Sequence, residues 1–217
     1  MKKTGNENIN TKFYWDFIYS TKTYMEDLEK LANKSGRWIN DPIGRCSIRP
    51  SNRFETALGL VKDKDRVLDL GCGYGIFAEM VINKYLFNEV WGTDISSKVI
   101  ERNKTKESGV VYHQQSLGFM DKVPDDYFNL VFAGEILEHL DNPSMLFEDA
   151  KRILKVGGRL IVTTPFSFAI QSPEHVWFFE KEDVEKFYTD GGFTKPEFIE
   201  LPEMEKVQVI FAVGEKK

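Results

Sequence analysis

Val67–Ala78 reads VLDLGCGYGIFA, and this stretch decides the fold. The aliphatic residues before the first glycine indicate a buried strand, and the apolar residues after the last glycine indicate the start of a helix. Three alternating glycines between them indicate a turn whose backbone comes close to a ligand. The N-terminus of the helix that follows also favours anionic groups. The stretch therefore predicts a nucleotide-type cofactor site between a strand and a helix.

Two observations narrow the choice of cofactor: the spacing of these glycines and the presence of two aspartates near them. The turn has the pattern Gly-x-Gly-x-Gly, not the Gly-x-Gly-x-x-Gly of dinucleotide enzymes, and Asp69 precedes it by two residues. A carboxylate there would repel a pyrophosphate but would favour the sulfonium and ammonium of S-adenosylmethionine (SAM). Asp94 ends the next predicted strand, where it can accept the ribose hydroxyls, with Ile95 beside the adenine. The two aspartates weaken the alternative that the glycines serve only tight packing.

Strands and helices alternate around this turn, which predicts a parallel sheet with helices on both faces. The predicted strands are Arg66–Leu70, Glu89–Thr93, Val110–Gln114, Phe128–Phe132, Arg159–Thr163, Glu197–Leu201 and Val207–Val213. The predicted helices are Asn52–Val61, Ile76–Lys84, Ser96–Lys106, Pro143–Leu154 and Lys181–Thr189, after an aromatic helical region within residues 11–31. We expect the last two strands to pair antiparallel. The pattern divides the chain into an N-terminal helical cap, residues 1–60, acting as an acceptor lid, and a SAM-binding domain, residues 61–217.

Composition excludes several classes of protein. The 217 residues include 34 acidic and 29 basic side chains, a net charge of −5, which argues against a nucleic-acid partner. Cys46 and Cys72 are the two cysteines, so we expect a reduced, cytoplasmic protein without a disulfide framework. The sequence holds no apolar run long enough for a membrane span. Nothing in it indicates an oligomeric state.

Four segments resemble successive motifs of class I SAM-dependent methyltransferases. They are Val67–Ala78, Trp91–Ile95, Phe128–His139 and Leu154–Leu160. The resemblance covers the chain from Arg66 to Val213. It implies a Rossmann-like, doubly wound α/β fold with a seven-stranded sheet of order 3-2-1-4-5-7-6, in which the seventh strand is antiparallel.

The resemblance also implies which residues contact SAM. The glycine turn would approach the methionine moiety, and Asp94 would hold the ribose. Gln115 and Ser116 stand where the family commonly has an acid for the adenine amine, so an amide or a hydroxyl would have to serve there. The full predicted cofactor set is Asp69, Gly71, Cys72, Gly73, Gly75, Asp94, Ile95, Gln115, Ser116, Leu117, Gly134 and Glu135.

A cluster of acids and histidines follows the fourth predicted strand, in the run AGEILEHL. Its spacing places Glu135, Glu138 and His139 on one face of a helical turn, and His175 follows the fifth strand at the same sheet edge. All four residues together would suit a divalent metal ion. Without a metal, His139 or His175 would act as a general base, with Glu135 as a further catalytic candidate. A packing role is the third alternative. The metal alternative resembles small-RNA 3′-terminal 2′-O-methyltransferases, although ubiquinone-biosynthesis O-methyltransferases also carry the Glu-x-x-Glu-His element.

These observations predict a SAM-dependent methyltransferase that methylates an oxygen or nitrogen of a small molecule, such as a sugar, a quinol or another secondary metabolite. S-adenosylhomocysteine would be the second product. Aromatic side chains would form the acceptor pocket, and Arg37, Arg45, Arg49 and Arg53 could clamp an anionic acceptor. The alternatives are a metal-dependent RNA 2′-O-methyltransferase and a non-catalytic SAM-binding regulatory or scaffold protein.

Overall fold

The computed structural model describes residues 1–20, 51–85, 88–166, 173–201 and 209–217. Its helices are α1 (Lys12–Ser20), α2 (Ser51–Leu60), α3 (Ile76–Lys84), α4 (Ser97–Lys104), α5 (Ser144–Ile153) and α6 (Lys181–Asp190). The strands of the main sheet are β1 (Arg66–Leu70), β2 (Glu89–Asp94), β3 (Val111–Gln114), β4 (Phe128–Gly134), β5 (Leu154–Pro165), β6 (Glu197–Phe198) and β7 (Val209–Glu215). Two short strands, Lys2–Lys3 and Trp177–Phe178, form a separate antiparallel pair.

The main sheet has the strand order β3-β2-β1-β4-β5-β7-β6. Strands β1 to β5 are parallel to one another, and β7 is antiparallel to both β5 and β6. This architecture confirms the predicted Rossmann-like sheet and its order. Because the strand order reverses between β1 and β4, the carboxyl ends of these two strands border the crevice in which open α/β sheets bind ligands.

Apolar side chains cover both faces of the sheet. On one face Phe54, Phe77 and Phe132 are buried together, and the rings of Phe77 and Phe132 lie 4.4 Å apart. On the other face Phe147 of α5 contacts Tyr188 of α6, and both are fully buried. Burial on both faces makes the central strands a rigid frame for the residues that follow them.

The main differences from the predicted elements lie at strand ends. Strand β5 begins at Leu154, before the predicted Arg159, because Leu154 pairs with Phe128 across an irregularity that precedes the regular register. Strand β6 ends at Phe198 rather than Leu201. The predicted helical region beyond Ser20 and the predicted start of β7 at Val207 lie outside the described residues.

The N-terminal segment, residues 1–20, lies across the carboxyl edge of the sheet. At one end Lys2–Lys3 pair with Trp177–Phe178 after β5. At the other end Asp16 of α1 accepts hydrogen bonds from the Ser96 hydroxyl (2.6 Å) and the Lys98 backbone N–H (3.1 Å). The segment is therefore tethered on both sides of the crevice. No helix in the described parts of the chain is long and apolar enough to cross a membrane.

Candidate active site

A cavity of about 520 Å³ opens at the carboxyl edge of the sheet, beneath the N-terminal segment. Every predicted site residue except Gly75 lines it. These residues are Asp69, Gly71, Cys72, Gly73, Asp94, Ile95, Gln115, Ser116, Leu117, Gly134, Glu135, Glu138, His139 and His175. The parallel strands bring them together because each residue lies close to, or follows, the carboxyl end of a strand.

Two glycines of the turn are required by backbone shape and close packing. Gly71 has φ +69°, and a Cβ there would collide with the Ile136 side chain. Gly75 has φ +71° at the N-cap of α3, and a Cβ there would collide with the Tyr112 hydroxyl. Gly75 lets α3 pack against β3 and does not line the cavity, and its contact with the cofactor stays a prediction.

Asp94 braces the glycine turn and also lines the cavity. Its Oδ2 accepts the Gly73 N–H and its Oδ1 accepts the Ser96 N–H, both at 2.9 Å. Burial raises the pKa of Asp94 to about 6, and these backbone bonds oppose the rise. Each carboxylate oxygen has a second lone pair, so the group can accept ligand hydroxyls while it holds the turn.

Asp69 makes the base of the cavity acidic. Its Oδ2 accepts the Ala78 N–H at 3.2 Å, and its side chain is buried. Burial raises the pKa of Asp69 to about 7. A cationic ligand would favour the charged carboxylate, whereas a pyrophosphate would not. The electrostatics of this half of the cavity therefore suit a positively charged cofactor.

The polar groups after β3 are engaged within their own loop. The Gln115 Nε2 donates to the Gln114 carbonyl at 2.8 Å, and its Oε1 accepts the Lys122 N–H at 3.4 Å. The Ser116 hydroxyl donates to the Leu117 carbonyl at 3.5 Å. These residues line the cavity, as predicted, in a loop held by its own hydrogen bonds.

The predicted helical face over residues 135–139 is wrong. The Glu135 N–H donates to the Thr163 carbonyl at 2.9 Å, so the chain still belongs to the sheet there and turns with φ +55°. Only Leu137–His139 form a turn of 3₁₀-helix. As a result, one ligand atom each from Glu138, His139 and His175 lies within 4.8 Å of the others, and Glu135 is outside this group. Three of the four residues predicted as metal ligands therefore lie together.

Glu138 is a buried acid at the cavity wall. Glu138 is 1% exposed, and its Oε2 accepts a hydrogen bond from the Thr164 hydroxyl at 2.8 Å. Its Oε1 has no hydrogen-bond partner within the described residues and lies 3.9 Å from the His139 Nε2. Burial raises the pKa of Glu138, and the charge of nearby Glu135 raises it further. Glu138 is not a solvated surface charge.

His139 is held as a neutral imidazole with one nitrogen left for a ligand. Its Nδ1 lies 2.9 Å from the Glu174 carbonyl oxygen. A carbonyl only accepts hydrogen bonds, so Nδ1 carries the proton and Nε2 keeps its lone pair. Burial lowers the pKa of His139. The ring is fixed by edge contacts with Trp15 (5.4 Å) and His175 (5.1 Å), which leaves Nε2 suited to accept a proton.

Glu174 and the polar residues of the N-terminal segment also belong to the site, although their sequence pattern did not predict it. The Asn10 amide donates to the Glu174 carbonyl at 2.7 Å, and the Tyr14 hydroxyl donates to the Glu174 carboxylate at 2.5 Å. The only signal for Glu174 is its place beside His175, and isolated asparagines carry no signal for a contact 164 residues away. Of the aromatic side chains predicted to form an acceptor pocket, Trp15 and Tyr19 line the cavity.

Among the predicted basic residues, Arg53 lines the cavity, with its guanidinium 5.1 Å from the Phe54 ring. Arg37, Arg45 and Arg49 lie outside the described residues, as does Cys46. The described part of the chain therefore supplies one arginine for an anionic acceptor.

Sequence comparison identifies the family. A profile of the methyltransferase domain family matches residues 25–194, more than half of the chain. The chain belongs to this methyltransferase family. The fold and the family together make it a class I SAM-dependent methyltransferase.

Three relatives show the range of this similarity. The methyltransferase is 30% identical over 185 residues to an uncharacterised protein of Methanocaldococcus jannaschii, covering 82% of this chain and 78% of the relative. It is 31% identical over 143 residues to the malonyl-[acyl-carrier protein] O-methyltransferase of Legionella pneumophila, covering 65% of this chain but only 46% of that enzyme. It is 28% identical over 162 residues to the ubiquinone biosynthesis O-methyltransferase of Xanthomonas euvesicatoria, covering 70% and 67% of the two chains.

Solved structures share the fold of the methyltransferase. A phosphoethanolamine N-methyltransferase 2 of Haemonchus contortus, in complex with SAM, aligns with a TM-score of 0.72 at 17% identity, over 94% of this chain and 59% of that one. A SAM-dependent methyltransferase from Aquifex aeolicus aligns with a TM-score of 0.60 at 19% identity, over 76% and 93%. At these sequence identities, the similarity to the two structures shows a shared fold.

Proposed function

We propose that the methyltransferase binds SAM along the carboxyl ends of β1 and β2 and transfers its methyl group to a hydroxyl oxygen of a small molecule. The residues present fit the cofactor. The buried Asp69 favours a cation, Asp94 keeps acceptor capacity for ribose hydroxyls, and Gln115, Ser116 and Leu117 line the cavity beside them for the adenine. The O-methyltransferases among its relatives support an oxygen acceptor.

The single observation that carries this proposal is the hydrogen bond between the His139 Nδ1 and the Glu174 carbonyl. It fixes the tautomer in which Nε2 can take a proton from a hydroxyl held in the cavity. SAM supplies an activated methyl group: its S–C bond breaks as the C–O bond forms, and S-adenosylhomocysteine leaves with the sulfonium electron pair. His139 receives the hydroxyl proton at Nε2 and becomes imidazolium, which the buried Glu138 stabilises at 3.9 Å.

The positioning of SAM and the acceptor contributes the rest of the rate enhancement of methyl transfer. The N-terminal segment covers the cavity and is hydrogen-bonded on both sides of it, so it can exclude water and hold the two reactants in line. A direct in-line transfer needs no covalent intermediate with the protein.

Transfer of a labelled methyl group from SAM to a pool of small hydroxyl compounds tests the proposal. We expect His139→Gln to lower turnover by about 100-fold or more, the contribution of a general base, while the affinity for S-adenosylhomocysteine changes little. His113→Gln is the matched control because His113 lies on β3 outside the cavity lining. Full turnover in His139→Gln would remove His139 from the reaction.

A second possibility rests on the group formed by Glu138, His139 and His175, whose ligand atoms lie within 4.8 Å of one another. These three residues would suit a divalent transition metal ion, which would lower the pKa of a bound hydroxyl. The same transfer assay with EDTA, and then with added Mn²⁺ or Co²⁺, separates the two mechanisms. Turnover that survives EDTA supports the metal-free base, and turnover that needs added metal supports the metal site.

A further inference from the structure

Within the described parts of the chain, the wall around His139 carries several hydrogen-bond acceptors that have no donor. Among the described residues, buried oxygens without a partner include Glu138 Oε1, Glu135 Oε1 and Asn10 Oδ1, and the His175 Nδ1 is also unpartnered. All four side chains line the cavity. Leaving such groups unpaired costs about 1 to 3 kcal/mol each. A ligand that brings several donors would offset this cost, whereas a ligand with lone pairs alone would not.

The acceptors lie close to the nitrogen that takes the proton. Glu138 Oε1 is 3.9 Å from the His139 Nε2. Two acceptors at this separation are matched by hydroxyl groups on neighbouring carbons, because each hydroxyl can donate to one acceptor while their oxygens stay close together. Asn10 lies on the same side of the cavity as His139, because the Asn10 amide and the His139 Nδ1 both donate to the Glu174 carbonyl.

Charge at this wall argues against an anionic acceptor group. Glu135 raises the pKa of Glu138, so the two acids interact, and a carboxylate placed between them would add a third like charge. Arg53 is the single lysine or arginine that lines the cavity in the described parts of the chain, and it belongs to α2, where it stacks on Phe54. A neutral donor of several hydrogen bonds suits the wall around His139 better.

We propose that the acceptor is a vicinal diol, methylated on the hydroxyl that faces the His139 Nε2 and bound through its neighbouring hydroxyl to Glu138. This inference rests on the proposed function, because it uses His139 as the base. It assigns Glu138 a role in substrate selection. Aromatic catechols and saturated cyclic diols, including sugars, share this chemistry.

Matched probe compounds test the diol preference on the whole protein loaded with S-adenosylhomocysteine in EDTA. Catechol is compared with phenol and benzoate, and cis-1,2-cyclohexanediol with cyclohexanol, by calorimetric or NMR titration. We expect the better of the two diols to bind about tenfold more tightly than its single-hydroxyl partner, the equivalent of one hydrogen bond to a charged group, and more tightly than benzoate. The two pairs distinguish aromatic from saturated diols.

Two variants then test whether Glu138 causes the preference for diols over single-hydroxyl compounds. Glu138→Gln, which keeps the side-chain volume, is expected to reduce the tenfold preference to about threefold or less, as a charged acceptor becomes neutral. Glu89→Gln is the matched control, because Glu89 lies at the opposite, N-terminal end of β2. Retention of the full preference in Glu138→Gln would contradict the assignment.

The outcomes separate this inference from the proposed function. If S-adenosylhomocysteine binds and a single-hydroxyl compound or benzoate equals the diols, the diol inference is overturned and the methyltransferase proposal stands. A diol preference that appears only when a divalent metal is added would also overturn it, because the recognition would then belong to the metal. Failure of S-adenosylhomocysteine to bind would instead contradict the proposed function.

Discussion

At the scale of single residues, the protonation of His139 decides when the methyltransferase can act. Burial lowers its pKa from the ordinary value of 6.5, and the Glu174 carbonyl opposes this shift. The base works only when Nε2 is unprotonated, so activity is present above the pKa and is lost as pH falls through it. The lowered pKa moves this loss to pH values below 6.5.

We therefore predict that kcat, measured with SAM and acceptor saturating, declines as pH falls with a midpoint below pH 6.5. Saturation removes contributions from SAM binding, in which Asp69 and Asp94 also titrate. His113→Gln should give the same profile as the wild type. A decline centred above pH 6.5 would contradict a buried neutral His139.

Single residues also show how far the sequence predicts the site. The places of Asp69 and Asp94 beside the cavity were predictable, because each lies near the end of an aliphatic strand at a fixed spacing from the glycine turn. The places of Gly75 outside the cavity lining and of Glu135 outside the group of Glu138 were not predictable, because they depend on the Tyr112 side chain and on a backbone bond to Thr163. Spacing along a sequence predicts a helical face only where the backbone is helical.

At the scale of elements, the N-terminal segment connects the two halves of the site. Asp16 of α1 binds the residues that begin α4, and Asn10 and Tyr14 bind Glu174 near the histidines. Glu174 in turn holds the tautomer of His139. Tyr14 is therefore a positioning residue, since it acts on the base through Glu174.

We predict that Tyr14→Phe lowers kcat about fivefold, the equivalent of one hydrogen bond of about 1 kcal/mol, with less than a twofold change in S-adenosylhomocysteine affinity. Tyr85→Phe is the matched control, because its hydroxyl bonds to the Leu58 carbonyl outside the cavity. An equal loss of S-adenosylhomocysteine affinity and kcat would show that Tyr14 only covers the cofactor.

The elements of the sheet were predictable for a physical reason. Each central strand is a short aliphatic run buried on both faces, and glycines or caps mark the helices between them. The contacts of residues 1–20 with the loop after β5 were not predictable, because isolated side chains, not a repeating pattern, join residues 164 to 171 positions apart.

At the scale of the whole molecule, the sheet order places the proposed cofactor half and the proposed acceptor half of the site on either side of one switch point. Asp69 and Asp94 lie near the carboxyl ends of β1 and β2, and the Glu138–His139–His175 group follows β4 and β5. A single cavity spans both halves. The central claim is that SAM occupies its β1–β2 side.

Calorimetric titration of S-adenosylhomocysteine into the wild type, Asp94→Ala and Asp94→Asn tests this claim most directly. Asp63→Ala is the matched control, because Asp63 is exposed in the turn before β1 at the opposite edge of the sheet. We predict one site per chain in the wild type and in Asp63→Ala, and a loss of affinity of about 10- to 100-fold in both folded Asp94 variants, as expected for hydrogen bonds to a charged group. Wild-type affinity in the Asp94 variants, or no binding by the wild type, would contradict the account.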